Sequence, residues 1–294
     1  MLVLMIISKT LLYLCFSLTF GTFLLTLIPN THKPKVNVSK HILMIAIIGI
    51  PLSTFFPILQ TILFLTPRIG FGESFQSVLT TFEVGKSWVF IFSVSFILII
   101  FISSIDYQRK KLYGYIGAIL TFILIVGVSW SSHASSISQF FGGLSHTLHF
   151  TAVSVWVGIL IVISWFSTNY DHWLKFLNWF TPIALCCFVS TIISGLILMN
   201  LVITDYTNSW LFPYGQALLI KHILIIPLLI YAIINGIFVK RKIKRDPNFN
   251  PKTWTRIECI IILLIFTVTA VLGQQAPPNK TTLLNPTSFD TRNQ

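Results

Sequence analysis

The sequence predicts an all-α fold, a polytopic membrane bundle of about eight transmembrane helices. Of its 294 residues, 54% are hydrophobic and only 10% are charged, and the mean hydropathy is +0.83. Soluble domains carry about 25% charged residues, so the composition excludes a soluble fold. The apolar residues are also gathered into eight runs of about 18 residues or more, the length that crosses a bilayer as a helix.

The eight runs follow one another with short polar connections. They cover residues 2–28, 41–65, 88–105, 112–130, 143–166, 176–202, 214–239 and 254–273. The first run is too long for a signal peptide and no small-residue cleavage site follows it, so we expect it to be retained. Pro51 and Pro57 predict a kinked second helix whose freed carbonyls are satisfied by neighbouring helices.

Residues 66–87 are expected to form a longer polar loop, since they lie between two apolar runs and contain glycines and glutamates. We interpret residues 1–273 as a single transmembrane domain. Residues 274–294 are predicted to be a polar C-terminal tail.

The distribution of basic residues predicts the orientation. The net charge is +12, and 14 of the 20 Lys and Arg residues follow the first, third, fifth and seventh helices, including the cluster at 240–245. Basic loops stay on the cytoplasmic side, so both termini are predicted to lie outside. Because the positive charge encodes topology, we expect the lipid bilayer, and no nucleic acid, as partner.

Three of the seven histidines lie where the fourth and fifth helices meet. His146 and His149 are spaced i, i+3, which places them one turn apart on one helix face, and Trp156 continues that face. His133 precedes them in a short connection that could fold back toward the pair. Ionisable residues at membrane depth are functional candidates, and imidazole suits copper, zinc, iron and nickel. The pattern predicts a metal site built from these three histidines.

Other residues are possible accessories to this site. Met199 is the thioether closest to it, and Cys186 with Cys187 could form an onward path, although adjacent helical residues point about 100° apart. All four cysteines lie inside apolar runs, so a disulfide is not expected. His222 could also contribute, but its ordinary interpretation is an interfacial residue beside Lys221, whose ammonium would extend to the interface.

Several short motifs, in order, resemble the copper resistance D (CopD) family over about residues 115–280. They are Ser132-His133-Ala134, His146 and His149 with Trp156-Val157-Gly158, Ser194-Gly195, Tyr214-Gly215 with Leu218, Leu219 and Lys221, Arg256 with Glu258, and Pro277-Pro278. Two departures concern local loop geometry. Ser131 and Ser132 stand where glycine is usual, and Ile159 replaces a second glycine after Gly158.

The resemblance implies a multi-pass protein of the cytoplasmic membrane that handles copper, usually described as moving it inward from the outer side. It also implies a small CopC-like copper-binding partner. Because the chain starts directly in its first helix, we expect such a partner to be a separate protein.

Two further functions stay open. The same histidines could hold a b-type haem in a membrane redox protein. Alternatively, the chain could be an assembly factor or a transporter of an organic solute, with Asp171, Asp205 or Glu258 as proton-linked carboxylates, although loop or interface positions are their ordinary interpretation. No nucleotide-binding loop is present and we do not expect an enzyme.

Overall fold

The computed structural model describes residues 2–169, 171–203, 209–246 and 249–275, without the side chains of His133 and Ala134. Its helices, numbered here in chain order, are α1 (Leu2–Leu27), α2 (Lys40–Ile69), α3 (Phe71–Thr80), α4 (Glu83–Ser104), α5 (Lys111–Trp130), α6 (His133–Ile137), α7 (Gln139–Phe166), α8 (Trp173–Val202), α9 (Pro213–Ile234), α10 (Lys240–Arg245) and α11 (Lys252–Leu272). A π-helical segment, Asn235–Val239, joins α9 to α10.

Eight helical spans in this part of the chain are long and apolar enough to cross a membrane. They are α1, α2, α4, α5, α7, α8, the continuous span from α9 through α10, and α11. Each corresponds to one of the eight apolar runs, so the predicted all-α membrane bundle is confirmed. The predicted tail lies outside the described residues from position 276 onward.

Two predicted loops are helical in the structure. Residues 66–87 are not one polar loop, because α2 continues to Ile69 and α3 occupies Phe71–Thr80. The helix α3 is stabilised by Val78, which packs against Ile58 and Ile62 of α2. The connection before α7 contains the short helix α6, which packs against α7 and α8. The sequence of neither helix contains a long apolar run, because each helix buries only a few side chains, and hydropathy therefore did not predict them.

The proline-containing helix α2 is supported by its neighbours, as predicted. Proline has no N–H, so Pro57 leaves the carbonyl of Ser53 without its helical donor. The buried hydroxyl of Ser8, on α1, donates to that carbonyl at 2.7 Å. Two residues earlier, the indole N–H of Trp88 on α4 donates to the carbonyl of Pro51 at 2.8 Å.

The centre of the bundle is the crossing of α1 and α7. The helix α7 packs against α1, α5, α8 and α11. At the crossing, Gly21 and Gly158 bring the two backbones into direct contact. A Cβ on Gly21 would lie 2.2 Å from the carbonyl carbon of Gly158, and a Cβ on Gly158 would lie 2.1 Å from the carbonyl oxygen of Ser17. Small residues permit such close approach between membrane helices.

One end of the bundle, called the loop face here, carries the connecting residues 28–39, 105–110, 167–169, 171–172, 246 and 249–251. Two backbone hydrogen bonds join the connection after α1 to the end of α7. The N–H of Asn37 donates to the carbonyl of Phe166 at 2.9 Å, and the N–H of Thr168 donates to the carbonyl of Lys35 at 2.8 Å. Lys33 turns inward and donates to the carbonyl of Leu25, and burial lowers the pKa of its ammonium to about 8.

The opposite end, called the terminal face, holds both ends of the described chain. The ammonium of Lys9, near the start of α1, donates to the carbonyl of Gly273, just after α11, at 2.9 Å. The beginning of the first span and the end of the last therefore lie at the same end of the bundle, as an even number of crossings requires.

The α1–α7 crossing gives a first prediction. Gly21→Ala should lower the melting temperature of the purified protein, because the new methyl group has no space and overpacking costs about 1–3 kcal/mol. Gly72→Ala is the matched control, since a Cβ there would meet no atom within 4 Å. Equal melting temperatures for the two variants would contradict the close crossing.

Candidate metal site at the terminal face

His146 and His149 lie in the half of α7 nearest the terminal face, and both are half-buried. The Nδ1 atom of His146 is 3.0 Å from the hydroxyl of Ser129, near the end of α5. Its ring meets that of Phe150 edge-on, with 6.2 Å between centroids. Phe150 in turn packs against Tyr13 and Phe16 of α1. The position of His146 therefore depends on the packing of α1 against α7.

His149 is held from the opposite side, by α8. Its Nδ1 atom lies 3.1 Å from the carbonyl oxygen of Thr191 and 3.2 Å from the hydroxyl oxygen of Ser194. The Ser194 hydroxyl donates to the carbonyl of Ser190 at 2.5 Å, so it is not the donor toward the ring. A carbonyl can only accept, so Nδ1 must carry the hydrogen. The lone pair of the neutral ring is then on Nε2.

Gly195 lies beside this ring. A Cβ at position 195 would lie 3.4 Å from Cε1 of His149 and 3.5 Å from its Nδ1, which is ordinary van der Waals contact. The Ser194-Gly195 pair thus contacts the imidazole through a hydroxyl acceptor and the adjacent backbone. This arrangement, in which one ring nitrogen is fixed by a hydrogen bond and the other is free to bind, is the one that metal-binding histidines use.

The site carries positive charge. The ammonium of Lys221, on α9, is close enough to interact electrostatically with both imidazoles, and that of Lys9 interacts with His146. Among the described residues, no carboxylate acts on either ring in the same way. Lys221 therefore contributes to the histidine site, where the sequence suggested only an interfacial lysine.

The third predicted ligand is only partly described. His133 begins α6, and α6 packs against α7 and α8, so its backbone belongs to the terminal face. Its side chain lies outside the described residues. Within the described part of the chain, no three His, Cys, Asp or Glu side chains converge as a metal site. The site of His133, His146 and His149 therefore stays a prediction.

The predicted accessory residues have other surroundings. Trp156 is buried in the main core, edge-on to Phe188. Met199 packs against a small apolar cluster that includes Ile203 and Leu218.

The side chains of the remaining three accessory residues are exposed to different degrees. Cys186 is exposed and Cys187 is half-buried. The exposed side chain of His222 donates its Nδ1–H to the carbonyl of Leu218 at 2.7 Å, within its own helix. The roles proposed for these residues stay predictions.

The residues that orient the histidines were not identified from sequence as site residues. Ser129, Thr191 and Lys9 lie within or beside apolar runs, where a hydroxyl or a lone cation carries little information. The available signal was the spacing of Ser190, Thr191 and Ser194, which places hydroxyls on neighbouring positions of one helix, and the isolated Lys9 inside the first run.

Comparison with known proteins places the chain in a family. Residues 1–139 match the family described as copper resistance protein D-like, N-terminal domain, and residues 174–272 match the family described as copper resistance protein D. His146 and His149 lie between the two matched segments. No solved structure matches the chain significantly.

A curated relative is also similar. The copper transport protein CutJ of Bacillus subtilis (strain 168) is 28% identical over 188 residues, which cover 59% of this chain and 35% of that protein. The match thus spans about a third of the relative's length. Together with the family matches, it confirms the resemblance. The chain belongs to the copper resistance protein D family and is a multi-pass membrane protein.

Proposed function

We propose that this chain binds copper at the terminal face through His146 and His149, with His133 as third ligand, and moves it across the cytoplasmic membrane. The observation that carries the proposal is the orientation of His149. Its Nδ1–H is held by the carbonyl of Thr191, so its Nε2 is left as a metal-binding lone pair.

His146 supplies a second imidazole one turn away. A serine hydroxyl can donate or accept, so Ser129 is compatible with the tautomer that leaves Nε2 of His146 free. Two or three neutral imidazoles without a described carboxylate suit copper better than a hard cation such as magnesium or calcium. The short helix α6, packed on α7 and α8, brings the backbone of His133 to the face where a third ligand is needed.

The direction we propose is inward. The loop face carries most of the basic residues, including the cluster Lys240–Arg245, and such segments remain cytoplasmic. The terminal face, with both chain termini and the histidines, is then on the outer side. A membrane potential negative inside favours cation entry by about 2.3 kcal/mol per charge per 100 mV. A separate CopC-like protein would deliver copper to this face, and the chain would act as a transporter rather than an enzyme.

A b-type haem is the less favoured occupant. Two axial ligands must approach the iron from opposite sides of the porphyrin, whereas His146 and His149 project from one face of α7, one turn apart. His146 and His149 therefore cannot be the two axial ligands of one haem, and a haem here would need a histidine from another helix.

The main prediction concerns copper binding. His146→Ala and His149→Ala should each reduce the copper bound by purified protein and copper uptake into proteoliposomes, because each removes one imidazole ligand. His133→Ala should reduce both if it is the third ligand. Metal content and uptake of copper are the measurements. His41→Ala is the matched control, since this exposed histidine lies at the start of α2, at the opposite end of the bundle.

Two results would contradict this function. Copper content that is unchanged in the double variant of His146 and His149 would place the site elsewhere. A Soret band in the purified protein that disappears in the same variant would mean that the histidines bind haem rather than copper.

A second prediction concerns the charge beside the site. Lys221→Met should tighten copper binding roughly tenfold, because a like-charge interaction through partly screened protein is worth on the order of 1 kcal/mol or more. Equilibrium competition with a copper chelator measures this change. An affinity that falls instead would mean that Lys221 supports the site in another way.

The third prediction tests how His149 is oriented. Ser194→Ala should weaken copper binding by about tenfold, the lower end of the range for residues that orient metal ligands, because the Thr191 carbonyl still holds the ring. Ser93→Ala is the matched control, since that exposed hydroxyl donates to the carbonyl of Val89 in its own helix. Nitrogen NMR of labelled histidine should show the Nδ1–H tautomer for His149. The Nε2–H tautomer would contradict the assignment.

A further inference from the structure

A second buried polar centre lies near the loop face, away from the histidines. The carboxylate oxygen Oε2 of Glu258, on α11, accepts a hydrogen bond of 2.7 Å from Nδ2 of Asn235. Both side chains are buried, with 4% and 5% of their surface exposed. Asn235 begins the π-helical segment after α9, and such segments are frequent at functional sites.

Among the described residues, no cation forms an ion pair with Glu258. The one ion pair found there is between Lys86 and Glu83, which are exposed. Arg256, two residues away, donates instead to the carbonyl of Ser164 at 3.1 Å and lies over the ring of Trp165. An isolated buried carboxylate is costly, and such a group becomes neutral by taking up a proton.

The amide of Asn235 is only half satisfied in this arrangement. Its Nδ2 donates to Glu258 and makes a long contact of 3.4 Å with the carbonyl of Trp254. Its Oδ1 is buried and has no hydrogen-bond partner among the described residues. Rotating the amide by about 180° would exchange the positions of Oδ1 and Nδ2. Oδ1 would then face the Glu258 carboxyl and could accept from it.

We propose that Glu258 and Asn235 form a proton-binding site that is loaded from the loop face. When Glu258 is ionised, its Oε2 accepts from the Asn235 Nδ2–H, as observed. When a hydronium ion gives a proton to Oε2 and leaves as water, the neutral carboxyl donates to the Oδ1 of the rotated amide. One O–H bond forms on Glu258, no other covalent bond of the protein changes, and the amide is a hydrogen-bond partner in both states.

The position of the pair supports access from the loop face. Lys252, at the start of α11, donates to the carbonyl of Ser167 in the connection after α7, which places this end of α11 at the loop face. Glu258 lies less than two turns further along the helix. The proposal does not depend on copper, and it gives the protein a second site at the opposite end of the bundle from the histidines.

Other titratable groups face Glu258 from the elements around it. Tyr231, on α9, and Cys259, on α11, both interact electrostatically with its carboxylate. The contribution of α7 at this position is the hydroxyl of Ser164, which is 3.9 Å from the Cys259 sulfur. Arg256 is the nearby cation, engaged by Ser164 as described above.

Infrared spectroscopy of the purified copper-free protein tests the proposal. A protonated buried carboxyl should give a C=O stretching band at about pH 7, where exposed carboxylates are ionised. This band should shift in D₂O, lose intensity as the pH rises and disappear in Glu258→Gln. Asn235→Leu should move it to higher frequency, because the neutral carboxyl loses its hydrogen-bond acceptor. Glu83→Gln is the control and should leave the band unchanged.

Three outcomes would overturn the proposal. They are the absence of the band at every pH, its persistence in Glu258→Gln, and a band that Asn235→Leu does not move. Melting temperatures measured with and without sodium distinguish proton binding from binding of a metal cation, the principal alternative. Stabilisation by sodium that is lost in Glu258→Gln, with no carboxyl band, would make this a metal-cation site. If Glu258→Gln does not fold, the D₂O shift of the native protein and the Asn235→Leu frequency shift carry the test.

Discussion

The direct backbone contact between α1 and α7 is the constraint on which the rest of the structure depends. Gly21 and Gly158 leave no space for a Cβ, so the two helices have one possible register. About two turns away, the same register places Phe16 beside Phe150, and Phe150 supports the ring of His146. Hydrophobic driving force is weak between helices in lipid, so close packing of this kind holds them together. The depth of the histidines follows from it.

Buried polar groups in the bundle are stabilised by hydroxyls, carbonyls and amides rather than by opposite charges. His149 is held by a carbonyl and a serine hydroxyl, and Glu258 by the amide of Asn235. A hydroxyl or amide is less costly to bury than a second ion, and it lets the ionisable group change its proton or its metal without leaving an unpaired charge behind. The two centres lie at opposite ends, separated by the apolar middle of α7.

The positive charge near the histidines is consistent with the proposed transport. A site that passes an ion onward must bind it strongly enough to capture it and weakly enough to release it. In the proposed site, two neutral imidazoles would provide the attraction, whereas the ammonium of Lys221 would limit the affinity. A rigid site with a balancing carboxylate would suit storage of the metal better than its transfer.

The sequence alone determined the membrane-spanning class, the eight spans and the placement of His146 and His149 one turn apart on one helix, because hydropathy and helical spacing are local properties. It also predicted that neighbours satisfy the backbone around Pro57, although not that Ser8 does so. Only the tertiary structure decided the rest. The helices α3 and α6 depend on a few buried contacts, the free Nε2 of His149 depends on a carbonyl 42 residues away, and Glu258 is buried because α9 and α11 pack together. Contacts between distant segments leave no periodic signal in the chain, so such partners could not be identified beforehand.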